Sequence, residues 1–111
     1  MVEYRLDATF HALSDPTRRG MLATLALGER SISELAEPYA MSFAGASKHV
    51  RVLEGAGLVQ RRKVGRTQLC RLQAQPLGEA ELWLRQWEKF WNVRLDRLEG
   101  LIAADKEKRD P

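Results

Sequence analysis

The chain has 111 residues, 44% hydrophobic and 30% charged. That length suits one small domain, and that balance excludes both a disordered segment and a membrane-embedded protein. The net charge of +3 is small, but its sign is segregated along the chain. Residues 1–41 carry −2, residues 42–72 carry +6 and residues 73–111 carry −1. A basic block between acidic flanks is the footprint expected of a protein that meets a polyanion, and a solvated basic face is its plainer alternative. The longest apolar run is a few residues, too short for a membrane span. The opening, Met1 to Asp7, lacks the basic-then-apolar order of a signal peptide. A cytoplasmic protein with no membrane partner is therefore expected. The lone Cys70 excludes an intrachain disulfide. A core this small also makes self-association reasonable.

Taken in chain order, Val2, Leu6, Phe10 and Leu13 recur at helical spacing. That helix should stop at Ser14-Asp15-Pro16, where Asp15 can cap the next helix and Pro16 suits its first position. Met21, Leu22 and Leu25 face inward until Gly28 ends the second helix. Gly20 inside it costs about 1 kcal/mol relative to alanine, so close packing is its expected reason. Ser33 should cap a short helix over Glu34-Leu35-Ala36, kept brief by Pro38. Ser42 caps a longer one, with Ala46, Val50 and Leu53 inward and Ser47, Lys48 and Arg51 outward, closed by Gly55 and Gly57. Two helices joined by a tight turn form a helix-turn-helix.

Residues 58–64 and 67–72, joined at Gly65-Arg66, predict a β-hairpin with a basic tip. Pro76 marks a boundary, and residues 77–103 should form a last, long helix. Its main stripe is Leu84, Trp87, Trp91, Leu95, Leu98 and Ile102, widened by Trp83 and Phe90. Residues 105–111 are charged and should form a frayed tail, leaving residues 1–104 as one domain.

This order predicts a mainly α fold with a small β-hairpin wing: a winged helix-turn-helix with an added C-terminal dimerisation helix. An α-helix fits the major groove of DNA, and its N-terminal turns reach the base edges. Ser42, Phe43, Gly45, Ser47 and Lys48 are then nearest the bases, with His49 and Arg51 better placed for phosphates. Ala44 and Gly45 would let the backbone approach closely. Arg61, Arg62, Lys63 and Arg66 of the hairpin can follow phosphates or enter the minor groove. Plainer alternatives stand beside these. Ser42 is a cap in either case, Phe43 could equally pack inward, and His49 could hydrogen-bond within the domain. Arg61 and Arg62 point to opposite hairpin faces, so just one of them is expected on DNA.

The run Phe10-His11-Ala12-Leu13-Ser14-Asp15-Pro16-Thr17-Arg18-Arg19 resembles the opening signature of ArsR/SmtB-type winged-helix regulators. Ser33-Glu34-Leu35-Ala36, and the stretch from Ser47 to Val59, resemble the helix-turn-helix of that family and its exit, and Gly65-Arg66 its wing tip. The resemblance implies a homodimeric transcriptional repressor, cytoplasmic and associated with the nucleoid, that binds an inverted-repeat operator in double-stranded DNA.

Metal-sensing members of the family carry a Cys-x-Cys pair before the recognition helix, or Asp/His/Glu ligands on the last helix. Here the first place reads Glu34-Leu35-Ala36-Glu37-Pro38, the last helix has no histidine, and His11, His49 and Cys70 are the only soft or borderline ligands. No metal and no other cofactor is expected, which points to a branch that does not sense metals. Trp83, Trp87 and Trp91 lie four residues apart on one helix face. With Leu84, Leu95 and Leu98, and with Leu6 and Phe10 of the first helix, they form the expected dimer interface. An apolar pocket for an unknown small-molecule effector is the alternative use of that face. No nucleophile set, phosphate loop or paired carboxylates suggest an enzyme. The competing class is a winged-helix protein-interaction module that does not bind DNA.

Overall fold

The computed structural model describes residues 2–109; for residues 2–4 and 106–109, and for Trp91 and Arg94, it describes the backbone alone. Helix α1 spans Val2–Leu13 and α2 spans Pro16–Leu25. Asp15 caps α2 by accepting from the backbone N–H of Arg18 at 3.0 Å, with Pro16 in the first turn. The carbonyls at the end of α1, orphaned by helix geometry, are met by two arginines of α2. Arg18 Nε donates to the Ala12 carbonyl at 2.8 Å and Nη2 to that of His11 at 3.0 Å, while Arg19 Nη1 reaches Leu13 at 2.8 Å.

The next helix begins earlier than the sequence suggested. Strand β1, Arg30–Ser31, runs straight into α3, Ile32–Ala36, and the cap is Ser31 rather than Ser33. Ser31 Oγ accepts from Glu34 N–H at 3.1 Å while Glu34 returns to Ser31 N–H at 3.0 Å. This reciprocal box needs an acidic residue three positions after the cap; Ser31 has Glu34 there, whereas Ser33 has Ala36. A single 3₁₀ turn, Glu37–Tyr39, carries Pro38 and ends at Ala40, whose φ of 51° lies in the left-handed region. Gly20 of α2 sits under this turn. A Cβ there would collide with the Tyr39 hydroxyl, which is the close packing its presence in a helix implied.

Helix α4, Phe43–Gly55, buries Ala46, Val50 and Leu53. Its end is a Schellman closure: Gly57 (φ +75°) donates to Glu54 at 3.0 Å and Leu58 to Leu53 at 3.0 Å. Strands β2, Val59–Val64, and β3, Thr67–Leu72, form the hairpin, turning at Gly65-Arg66. Gly65 takes φ +62°, the backbone that the first position of a tight hairpin turn demands. The two-residue β1 was not anticipated. It pairs antiparallel with β3 through Arg30↔Cys70 and Ser31↔Leu69, giving the sheet order β1-β3-β2. The core gathers Met21, Leu25, Ile32, Leu35, Leu53 and Leu58 from these elements. Cys70 lies within it, and burial pushes its thiol above the ordinary range.

The single long helix expected over residues 77–103 is two helices, α5 Gln75–Arg85 and α6 Glu88–Arg109. Gln86 and Trp87 form a turn in which Trp87 N–H donates to Leu84 at 3.0 Å. The i→i−3 spacing of that bond marks a tightened helix end. Helix α6 runs past the expected boundary, through Arg109.

The chain divides into two compact units, Met1–Ala80 and Glu81–Pro111. In the second, Trp83 and Trp87 meet with ring centroids 6.0 Å apart and planes tilted by 58°, within the range favoured by aromatic pairs. Trp83, Leu84, Trp87, Leu95 and Leu98 are 42–58% exposed in the single chain. These apolar side chains are therefore about half exposed in the single chain. The side chain of Trp91 lies outside the described residues. In the first unit Leu6 is buried and Phe10 is partly exposed. No helix among the described residues is long and apolar enough to cross a membrane.

Candidate nucleic-acid interface

The outward side of α4 is built from its cap. Ser42 Oγ accepts from Gly45 N–H at 3.0 Å, fixing the entry angle of the helix. A Cβ on Gly45 would come within 3.3 Å of that hydroxyl, so glycine leaves the cap room. Phe43, the first helical residue, is 55% exposed and does not pack inward. Ala44, Lys48 and Arg51 are exposed and Ser47 is half-buried. A groove lined by Ser31, Ser33, Phe43, Arg66, Thr67 and Gln68 brings the starts of α3 and α4 to the tip of the wing. Thr67 and Gln68 were not singled out from sequence; their position directly after the turn glycine was the available signal.

The seven cations of residues 42–72 fall into two groups. Lys48, Arg51, Lys63 and Arg66 are exposed and have no acidic partner among the described residues. Two wing arginines are already engaged. Arg61 donates to Glu54 at 2.9 Å, at the end of α4. Arg62 grips Glu29 with two bonds of 3.1 and 3.2 Å. Arg71 is occupied by the Gln60 side-chain carbonyl. Exposed pairs of this kind are worth at most about 1 kcal/mol, so phosphate can compete for either arginine. Their partners Glu29 and Glu54 are 33 and 7 residues away in sequence, which left the former invisible to a local reading.

His49 is turned into the domain. Its Nδ1 lies 3.3 Å from Nη1 of Arg18 and 3.9 Å from Asp15 Oδ2. The intradomain hydrogen bond, the plainer of its two expected roles, is the one present. The Arg18 backbone N–H donating to Asp15, reinforced by the guanidinium charge, holds the Asp15 carboxyl below the usual carboxylate range. Glu34 is held low in the same way by the Ser31 backbone N–H and hydroxyl. Among the described residues no group of three His, Cys, Asp or Glu side chains converges as a metal site would require.

Against known proteins, residues 13–62 match a helix-turn-helix domain family. The HTH-type transcriptional regulator Rv2034 of Mycobacterium tuberculosis is 33% identical over 89% of this chain and 90% of its own. The transcriptional repressor SdpR of Bacillus subtilis is 28% identical over 71% of this chain and 88% of its own. A solved ArsR family transcriptional regulator, RHA00566, superposes with a TM-score of 0.75 at 36% identity, covering 81% of this chain and 93% of that one. The homodimeric winged helix-turn-helix DNA-binding domain of Mycobacterium bovis Mb0332 superposes at 0.58 with 27% identity, covering 86% and 83%. These relatives are all named as transcriptional regulators or DNA-binding domains. With its capped recognition helix, its basic wing and this likeness over nearly its whole length, the chain belongs to the ArsR family of winged helix-turn-helix transcriptional regulators.

Proposed function

We propose that two copies of this chain bind an inverted-repeat operator and repress transcription by occupying the promoter. The observation that carries this reading is the pairing of a solvent-facing, small-residue helix start with four exposed cations on the same helix and the wing, none with an acidic partner among the described residues. Ser42, Phe43, Gly45, Ser47 and Lys48 address base edges in the major groove, and Arg51 a phosphate. Lys63 and Arg66 of the wing follow the adjacent backbone; Arg61 and Arg62 do so only by exchanging Glu54 and Glu29 for phosphate. Dimeric readers of this kind address successive major grooves about 34 Å apart, so the operator is a pseudo-palindrome. Residues 1–104 serve as one functional unit with a charged tail behind them, in the cytoplasm.

The partner copy covers Trp83, Leu84, Trp87, Trp91, Leu95 and Leu98, with Phe10 contributing from α1; Leu6, expected there from sequence, is already buried within its own chain. The exposure of the described members of this stripe supports that assignment, as does the homodimeric state of the Mb0332 domain. The regulator belongs to a branch that does not sense metals: His49 is taken by Arg18 and Cys70 is buried among apolar neighbours.

The test is a salt titration of DNA binding. Arg66→Ala should weaken binding to every duplex and lower the slope of log K against log salt by about 1, since one phosphate contact releases roughly one counterion. Ser47→Ala and Lys48→Ala should instead change which selected operator is preferred. A wild-type protein that dimerises cleanly yet shows no salt-sensitive binding to any duplex would establish a protein-interaction role in place of this one.

A further inference from the structure

Arg18 stands outside the basic segment of the chain, on α2, yet its guanidinium ends on the recognition helix. All its N–H groups are donors and it has no acceptor. The contact of 3.3 Å from Nη1 to His49 Nδ1 therefore requires a lone pair on that nitrogen. With Nδ1 as acceptor, a neutral imidazole carries its proton on Nε2. Arg18 is itself fixed by the bonds to Ala12 and His11, so its aim does not depend on His49. Two groups face the ring from outside α4, Arg18 and Asp15, and both lie on the Nδ1 side.

The other edge is open. No buried side-chain nitrogen or oxygen among the described residues lacks a hydrogen-bond partner. Nδ1 is the engaged atom of His49, and the side chain keeps 25% of its exposure, which leaves Nε2–H to solvent. Positions 42, 45 and 49 follow one another at i, i+3 and i+7 on one side of α4, at the margin of its buried row of Ala46, Val50 and Leu53. The donor thus stands two turns beyond the Ser42 cap, at the edge of the helix and apart from its Ser47, Lys48 and Arg51 face.

We propose that Arg18 is a positioning residue for the recognition helix: it locks His49 in the Nε2–H form, and that outward N–H donates to a DNA phosphate oxygen. This rests on the DNA-binding reading above. It sharpens the sequence expectation, in which a phosphate contact and a bond within the domain stood as alternatives for His49. The internal bond and the DNA contact are two edges of one ring rather than alternatives.

Asparagine and glutamine separate the two edges. The amide of His49→Asn occupies the place of Nδ1 and keeps an acceptor for Arg18, but has nothing at Nε2. His49→Gln carries an N–H at about the reach of Nε2. Binding to a 30-base-pair duplex of mixed sequence is followed by anisotropy across a salt series, with thermal melting as the control on folding. His49→Asn should bind roughly ten-fold more weakly, about what one hydrogen bond to a charged acceptor is worth. Its salt slope should match that of wild type, because a neutral donor releases no counterion. His49→Gln should recover most of the loss. Wild-type affinity in His49→Asn, or a loss that tracks lowered melting in both variants, would overturn the phosphate contact.

A second readout needs no DNA. Long-range ¹⁵N–¹H correlation of the imidazole at neutral pH should show a protonated Nε2 and a bare Nδ1, and the Nδ1 resonance should shift in Arg18→Met. A proton on Nδ1, or a cationic ring, would overturn the lock. If wild type binds no duplex, the DNA reading itself has failed, and the phosphate contact with it, whatever the spectrum shows.

Discussion

The two units of the chain treat their apolar residues in opposite ways. Within Met1–Ala80, Leu53 and Leu58 are wholly buried and Ile32 and Leu35 nearly so. Within Glu81–Pro111, Leu98, Leu101 and Ile102 are 58–72% exposed. Residues of the same type thus hold different offices. In the first unit most are satisfied by their own chain, with Leu27 and Phe43 the chief exceptions. In the second they are surface held in reserve, and large exposed apolar patches mark sites of association. Stability should reside mainly in the first unit, and assembly in the second.

The sharpest way to break this contrast is to damage each unit in turn. Leu53→Ala removes a fully buried side chain from the centre of the first unit. It should cost 2–5 kcal/mol in denaturant unfolding, the usual range for such a truncation, whatever the protein concentration. Trp87→Ala should do the reverse. It should weaken self-association roughly thirty-fold or more by sedimentation, the effect of an interface hot spot, and leave the free energy of unfolding of the first unit in denaturant unchanged. If Trp87→Ala unfolds the first unit as Leu53→Ala does, the division of labour is wrong.

A smaller effect sharpens the picture inside the first unit. Replacing glycine by alanine in a helix ordinarily gains up to about 1 kcal/mol. Gly20→Ala should forgo that gain, because the new methyl displaces the hydroxyl end of the partly exposed Tyr39 ring. Tyr39→Phe on that background should restore much of the gain, since it deletes the colliding atom.

The smallest effect is on acid stability. Asp15 and Glu34 are held below the ordinary carboxylate range, so each releases its proton more readily folded than unfolded. Their contribution is present above about pH 4 and fades as pH falls through the depressed values. Asp15→Asn should flatten the decline of unfolding midpoint between neutrality and about pH 3, with little difference in shape above pH 5.

Much of this was legible in the sequence, and the parts that were share a cause. The Asp15-Pro16 start, the Ser42 cap, the Gly57 closure and the Gly65-Arg66 turn are local devices, decided within four or five residues. So is the Ser31–Glu34 box, which a count of three residues back from Glu34 would have found. The misses are decided at a distance. Strand β1 is two residues long and exists because Arg30 and Ser31 lie beside Cys70 and Leu69. The turn at Gln86-Trp87 has neither glycine nor proline to announce it. At the interface, the basic segment could be read directly from the chain, but not which cations were spoken for. Arg62 meets an acid 33 residues away, and Arg18 reaches α4 from across the fold.

Leu58 has a mechanical consequence. Its N–H closes the recognition helix on Leu53, its carbonyl accepts from Gln73 at 2.8 Å beyond the far strand, and its side chain is fully buried. Helix and wing are thereby geared together through one residue, with Arg61 and Glu54 as a second tooth. If helix and wing meet DNA as proposed, the helix cannot roll in a groove without carrying the wing tip along the backbone beside it. A base-pair insertion between the helix footprint and the wing footprint should therefore be refused outright rather than absorbed by bending. The reading head behaves as a calliper of fixed gap.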